Sequence, residues 1–298
     1  MSEHVDRLIL GTNPFSGTDH FLAERARLRK LTLDADQIRR VMESAFASGA
    51  SGMNVGTDAR GYQIIRALGE ISSKEKIGVY ALVPDTRKYV TAQLTNGTWA
   101  MVSDALEGLS MSKKVKTVIR GGLSVLTSDP AIATKAFVEA ELMRIKSSLP
   151  SNAELRSVLV HEAVTDIAVA LHAGNLLKTY IDAVSRNGVR PGFVTRNLVA
   201  FVDFLKQTGV PLNSVTIMTP LNPIGFQMTP SREACESVLS SIPTSSVIAM
   251  SILAGGQVPL SDAISYLKSQ PNLGGIAVGV SSVSHALTTF ATLRETFK

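Results

Sequence analysis

One unit recurs along this chain and constrains its fold more than anything else in it: a short apolar run, a polar loop bearing glycine, then a stretch with helical apolar spacing. Residues 8–17, LILGTNPFSG, show the first half of it. The apolar run stops abruptly at Gly11, Pro14 and Gly17, with Thr12, Asn13 and Ser16 between them. A buried strand ending in this way presents side chains and backbone N–H groups at one end of a sheet. Alternating strand and helix patterns of this kind build a parallel sheet covered by helices. Repeated over 298 residues, they predict a single-domain α/β protein, a (β/α)8 TIM barrel spanning residues 1–298.

Nine apolar runs compete for the eight places: residues 7–12, 51–56, 77–83, 115–120, 156–160, 191–194, 214–218, 246–250 and 275–280. The two least regular are 77–83 and 115–120, so one of them lies outside the barrel. Between the runs, helices are predicted at residues 34–48, 62–71, 98–109, 129–148, 162–185 and 199–207, with a terminal helix from Val283. Ile38, Val41, Met42 and Ala45 share one face of the first, and Gly49 closes it. Asp129-Pro130 reads as a helix start, aspartate capping and proline in the first turn.

Composition excludes several classes. The net charge of +5 is scattered and aromatics make up 5%, which is not the basic stripe with interleaved aromatics of a nucleic-acid reader. The one dense cationic run, residues 24–30, reads as a solvated face. A single cysteine, Cys235, within a helical pattern, allows no internal disulfide and fits a reducing, cytoplasmic setting. The uncharged stretch 237–261 is broken by Pro243, Gly255, Gly256 and Pro259, so it reads as a buried strand with loops and not as a membrane span.

In a barrel the carboxyl ends of the strands carry the chemistry. His161 follows Val158-Leu159-Val160, and an imidazole there is suited to proton transfer or to binding a carbonyl. Ser281 and Ser282 precede the terminal helix, whose free N–H groups suit phosphate. Gly255-Gly256 after the preceding strand lets backbone approach the same ligand. Together they predict a small, phosphate-bearing ligand. No lysine sits at a firm strand end, which disfavours a Schiff base. Asp19, His20, Glu24, His161 and Glu162 show no metal-ligand spacing, and no metal is expected.

These residues also resemble the aldo-keto reductase superfamily. Residues 10–15, LGTNPF, are similar to its first barrel strand, and residues 49–54 with Thr57, Asp58 and Tyr62 to its second-strand signature. Leu159-Val160-His161 looks like the strand carrying its catalytic histidine. Thr195-Arg196-Asn197 falls where the family holds the nicotinamide amide. Residues 249–256 and 279–283 are similar to the last two strands, which hold the cofactor's phosphates. The resemblance implies NADP- or NAD-dependent reduction of a small carbonyl compound. His161 would orient the carbonyl, Tyr62 donate the proton, and Asp58 or Arg120 tune it. Thr195, Asn197, Gly255, Gly256, Ser281 and Ser282 would hold the cofactor. The sequence departs from the family in two places: Gly56 or Thr57 stands where the acid belongs, and the lysine is missing. The residues alone also admit a lyase or isomerase acting on a phosphorylated substrate, and a non-catalytic ligand-binding barrel.

Overall fold

Among the described residues, strands form at eight of the nine apolar runs. In this computed structural model, which describes residues 5–16, 33–73, 75–84, 129–243 and 246–297, they are β1 (Leu8–Gly11), β2 (Gly52–Gly56), β3 (Ile77–Val83), β4 (Ala153–Val160), β5 (Arg190–Val194), β6 (Thr216–Pro220), β7 (Val247–Met250) and β8 (Gly275–Gly279). All pair in parallel in chain order, and β8 returns to β1 to close the barrel. Residues 77–83 are therefore the third strand, and the run 115–120 lies outside the described residues.

The two faces of each strand meet different partners, as the period of two requires. Ile9, Tyr80, Leu159, Val194, Met218, Ile248 and Ala277 fill the barrel. Their neighbours Leu8, Leu10, Met53, Val79, Val158, Phe193, Ile217 and Val278 pack outward against the helices. Burying each such side chain stabilises the fold by about 1.5–3 kcal/mol.

Helices α1 (Ala35–Ala47), α2 (Ala59–Ala67), α3 (Pro130–Ser148), α4 (Glu162–Ala170), α5 (Gly174–Arg186), α6 (Leu198–Thr208), α7 (Arg232–Leu239), α8 (Leu260–Lys268) and α9 (Val283–Thr296) surround it. Asp34 caps α1 in a box with Gln37, and Asp129 caps α3 at its proline. The helix predicted at 62–71 begins earlier, at Ala59, because Asp58 caps it. The single helix predicted at 162–185 is two, α4 and α5. The chain turns at His172, with φ at 52°, a left-handed residue that no right-handed helix can pass through.

The amino end of the barrel is closed by polar groups. The Asp6 N–H donates to the Tyr80 hydroxyl (2.7 Å), which donates to Asp6 Oδ2 (2.8 Å), and Arg156 Nε lies 3.7 Å from the same oxygen. A Cβ on Gly78 would collide with that carboxylate, and one on Gly52 would press on both Asp6 and Tyr80. Burial pushes the Asp6 carboxyl and the Tyr80 phenol above their ordinary values, the tyrosine also through the aspartate's charge. The chemistry is thereby left to the opposite, carboxyl end.

Candidate functional site

At the carboxyl end, β1, β2 and β8 carry no bulk. Gly11 and Gly279 are paired across β1 and β8, and a Cβ on Gly56 would meet nothing within 4 Å. The half-buried Leu82 and Met250 pack on the barrel's apolar filling beside Leu159 and form a floor. Asn54 spans β2 and β3, its Nδ2 donating to the Tyr80 carbonyl at 3.0 Å.

Polar side chains come from β4 and β5. His161 follows β4 on the parity of the inward-facing Leu159 and caps α4, its Nδ1 accepting the Ala163 N–H at 3.2 Å. An acceptor nitrogen carries no proton, so the neutral ring bears its hydrogen on Nε2. Glu162 opens α4 and bridges two groups: Oε2 lies 3.3 Å from His161 Nδ1, and Oε1 accepts from Arg196 Nη2 at 2.8 Å. Arg196 follows β5 on the parity of the inward-facing Val194. One turn into α4, Asp166 accepts the Thr195 hydroxyl at 2.6 Å and the Arg196 N–H at 3.3 Å. Burial raises the Asp166 carboxyl above its usual range, and these two donors oppose the rise.

The predicted residues separate into groups. His161 directly follows β4 at the carboxyl end of the barrel. Thr195 is fully buried, its hydroxyl directed to Asp166 in the helix layer, so it secures the β5 loop and offers nothing to a ligand. Asn197 Oδ1 caps α6 through the Ala200 N–H at 3.2 Å. Asp58 caps α2 through the Gly61 N–H. The Tyr62 hydroxyl points to a helix, not to a strand end: it donates to Glu141 Oε2 on α3 at 3.2 Å. Arg120 lies outside the described residues. Gly255 and Gly256 form a tight turn after β7 with φ at 68° and 95°, both exposed. Ser282 caps α9 through the His285 N–H at 3.2 Å, beside the half-buried Ser281.

Asp166 escaped the sequence reading. Its one signal is that it stands, with Glu162, as an acid in an otherwise nearly apolar helix, EAVTDIAVA. Among the described residues no group of three or more metal-ligating side chains occurs, and no helix is long and apolar enough to cross a membrane.

An eight-stranded parallel barrel with its ionisable cluster at the carboxyl strand ends belongs to the (β/α)8 architecture. Solved barrels similar to it include aldo-keto reductases. A Pseudomonas aeruginosa protein assigned to that family matches at 16% identity with a TM-score of 0.59, over 99% of this chain and 92% of its own. A second structure of an aldo-keto reductase assignment from the same organism matches at 17% identity and a TM-score of 0.58, over 98% and 90%. An aldo-keto reductase enzyme from a Medee basin deep-sea metagenome library matches at 11% and 0.52, over 95% and 83%. At these identities the likeness is one of fold. No protein-family model matches the sequence, and no curated protein does.

Proposed function

We propose that this chain is a barrel oxidoreductase of aldo-keto reductase type, which uses NADP or NAD to reduce a small carbonyl compound. The observation that carries the reading is His161: a strand-end imidazole whose Nδ1 is held by a helix N–H, leaving Nε2–H as the donor.

The residues present fit a dinucleotide. Gly255 and Gly256 leave an exposed turn after β7, and a Cβ on Gly256 would meet nothing within 4 Å. On the adjacent strand, α9 opens behind Ser281 and Ser282, where the first N–H groups of a helix have no partner within it. These groups would hold the phosphates, and Asn197 Nδ2 lies on the β5 loop, two strands before β7. Residues 269–293 contain no lysine or arginine, so backbone dipoles and hydroxyls would do the binding there. The cofactor, when bound, supplies a hydride to the carbonyl carbon.

The protein's own part is played at the oxygen. In the neutral ring Nε2–H polarises the carbonyl by hydrogen bonding. To give up Nε2–H to the oxygen, the ring must first take a proton on Nδ1; this releases the Ala163 N–H and directs the new Nδ1–H at Glu162 Oε2, 3.3 Å away. Tyr62 is assigned no role in proton transfer, because its hydroxyl is engaged by Glu141.

The test is a fluorescence titration with NADH and NADPH, followed by a panel of carbonyl compounds. Saturable binding with turnover is expected. No binding at millimolar cofactor, or turnover that needs no nicotinamide, would overturn the reading.

A further inference from the structure

Glu162 holds two different groups with its two oxygens: the His161 imidazole on Oε2 and the Arg196 guanidinium on Oε1. An imidazole and a guanidinium are thereby set side by side at the mouth, separated by one carboxylate. From this juxtaposition we infer that the substrate is a 2-oxo acid, its carboxylate on Arg196 and its neighbouring carbonyl oxygen on His161. The inference rests on the reductase reading and adds the substrate class to it.

Three features distinguish Arg196 from an ordinary surface ion pair. Its backbone is fixed on both sides. The Arg196 N–H goes to Asp166, the Arg196 carbonyl accepts the Thr229 N–H at 2.9 Å, and the Asn197 N–H goes to Thr195 Oγ1 at 3.0 Å. Its guanidinium is only partly satisfied. One nitrogen reaches Glu162, Nε is buried without an acceptor among the described residues, and the side chain is still 38% exposed. The nearby acids are already occupied, Glu162 by Arg196 and Asp166 by Thr195 and the Arg196 N–H, so they leave the open edge of the fork to an anion. A guanidinium matches a carboxylate with two parallel N–H donors, which an ammonium cannot reproduce. The two polar groups of a 2-oxo acid sit on adjacent carbons, and the two donors here sit on adjacent strands. The apolar floor of Leu82 and Met250, and Gly56, where a Cβ would meet nothing within 4 Å, leave room for a short carbon tail.

The experiment compares oxamate, which carries a carboxylate beside an amide carbonyl, with its uncharged counterpart oxamide. Binding to the intact protein is followed by isothermal titration, with and without NADH. Oxamate is expected to bind at least about tenfold more tightly, a difference of about 1.4 kcal/mol. Arg196→Gln should abolish that preference and Arg196→Lys restore part of it, while NADH titration and circular dichroism of both variants stay unchanged. Equal binding of oxamate and oxamide, no oxamate binding at millimolar concentration, or a preference that survives in Arg196→Gln would overturn the inference. Because the comparison of the two ligands uses the unaltered chain, it stands even if a variant fails to fold. NADH binding with no preference for oxamate would remove the acid site and keep the reductase reading. Arg196-dependent oxamate binding without NADH binding would do the reverse.

Discussion

The Tyr62 hydroxyl donates to Glu141 Oε2 across 3.2 Å and ties α2 to α3 in the helix layer. A tyrosine engaged there supports packing. Tyr62→Phe should leave carbonyl turnover unchanged and lower stability by about 1 kcal/mol, the net worth of one hydrogen bond. Parallel kcat/KM measurements and urea unfolding would check it, and a collapse of kcat in the phenylalanine variant would return the tyrosine to the chemistry.

Glu141 itself makes stability depend on pH. Burial raises its carboxyl above the ordinary glutamate range, and Arg144, Tyr62 and Thr57 only partly offset this. The folded chain therefore holds this proton more tightly than the unfolded chain. The sign follows: stability is greatest below the unfolded value and falls as pH rises through the raised one. Glu141→Gln should flatten that part of the slope between acid and neutral pH, measured as Tm against pH.

His161 caps α4, and under the proposed function it also serves the substrate. Asparagine is a good cap but cannot transfer a proton. His161→Asn should keep stability within a few tenths of a kcal/mol while kcat falls about 10²–10⁴-fold. His161→Ala should lose both, with about 1 kcal/mol of stability gone. Equal turnover in all three proteins would remove the imidazole from the reaction.

Gly56 and Gly61 lie five residues apart and should respond oppositely to alanine. A Cβ on Gly61 would run into the Gly56 carbonyl, which is backbone and cannot give way, whereas one on Gly56 would meet nothing within 4 Å. Gly61→Ala should cost about 1–3 kcal/mol or more. Gly56→Ala should fold normally and reveal, through a raised KM, whether the space it fills is used by substrate. Thermal unfolding and steady-state kinetics of the pair would decide.

Legibility from sequence followed the range of the interactions involved. The barrel was readable because each strand and helix carries its own periodicity, and His161 because it directly follows an apolar run. The Glu162–Arg196 bridge spans 34 residues of chain, and local pattern does not report which loops meet. The partner of Tyr62 is hidden for the same reason, since Glu141 lies 79 residues away. The break between α4 and α5 was hidden because the turning residue is a histidine and the only punctuation, Gly174, follows it. Thr195 looked like a mouth residue because strand-end position alone does not say to which side a side chain turns.

The Asp6–Tyr80 pair joins the segment entering β1 to β3 across Gly52, a position of β2 with no side chain. That makes it a cross-brace over two seams of the barrel. β1 has only four residues and must hold both β2 and β8, so its place in the ring rests on side chains at the base as well as on its backbone ladder. With the base braced, the carboxyl ends of β8, β1 and β2 can close on glycines at 279, 11 and 56 in place of anchoring side chains.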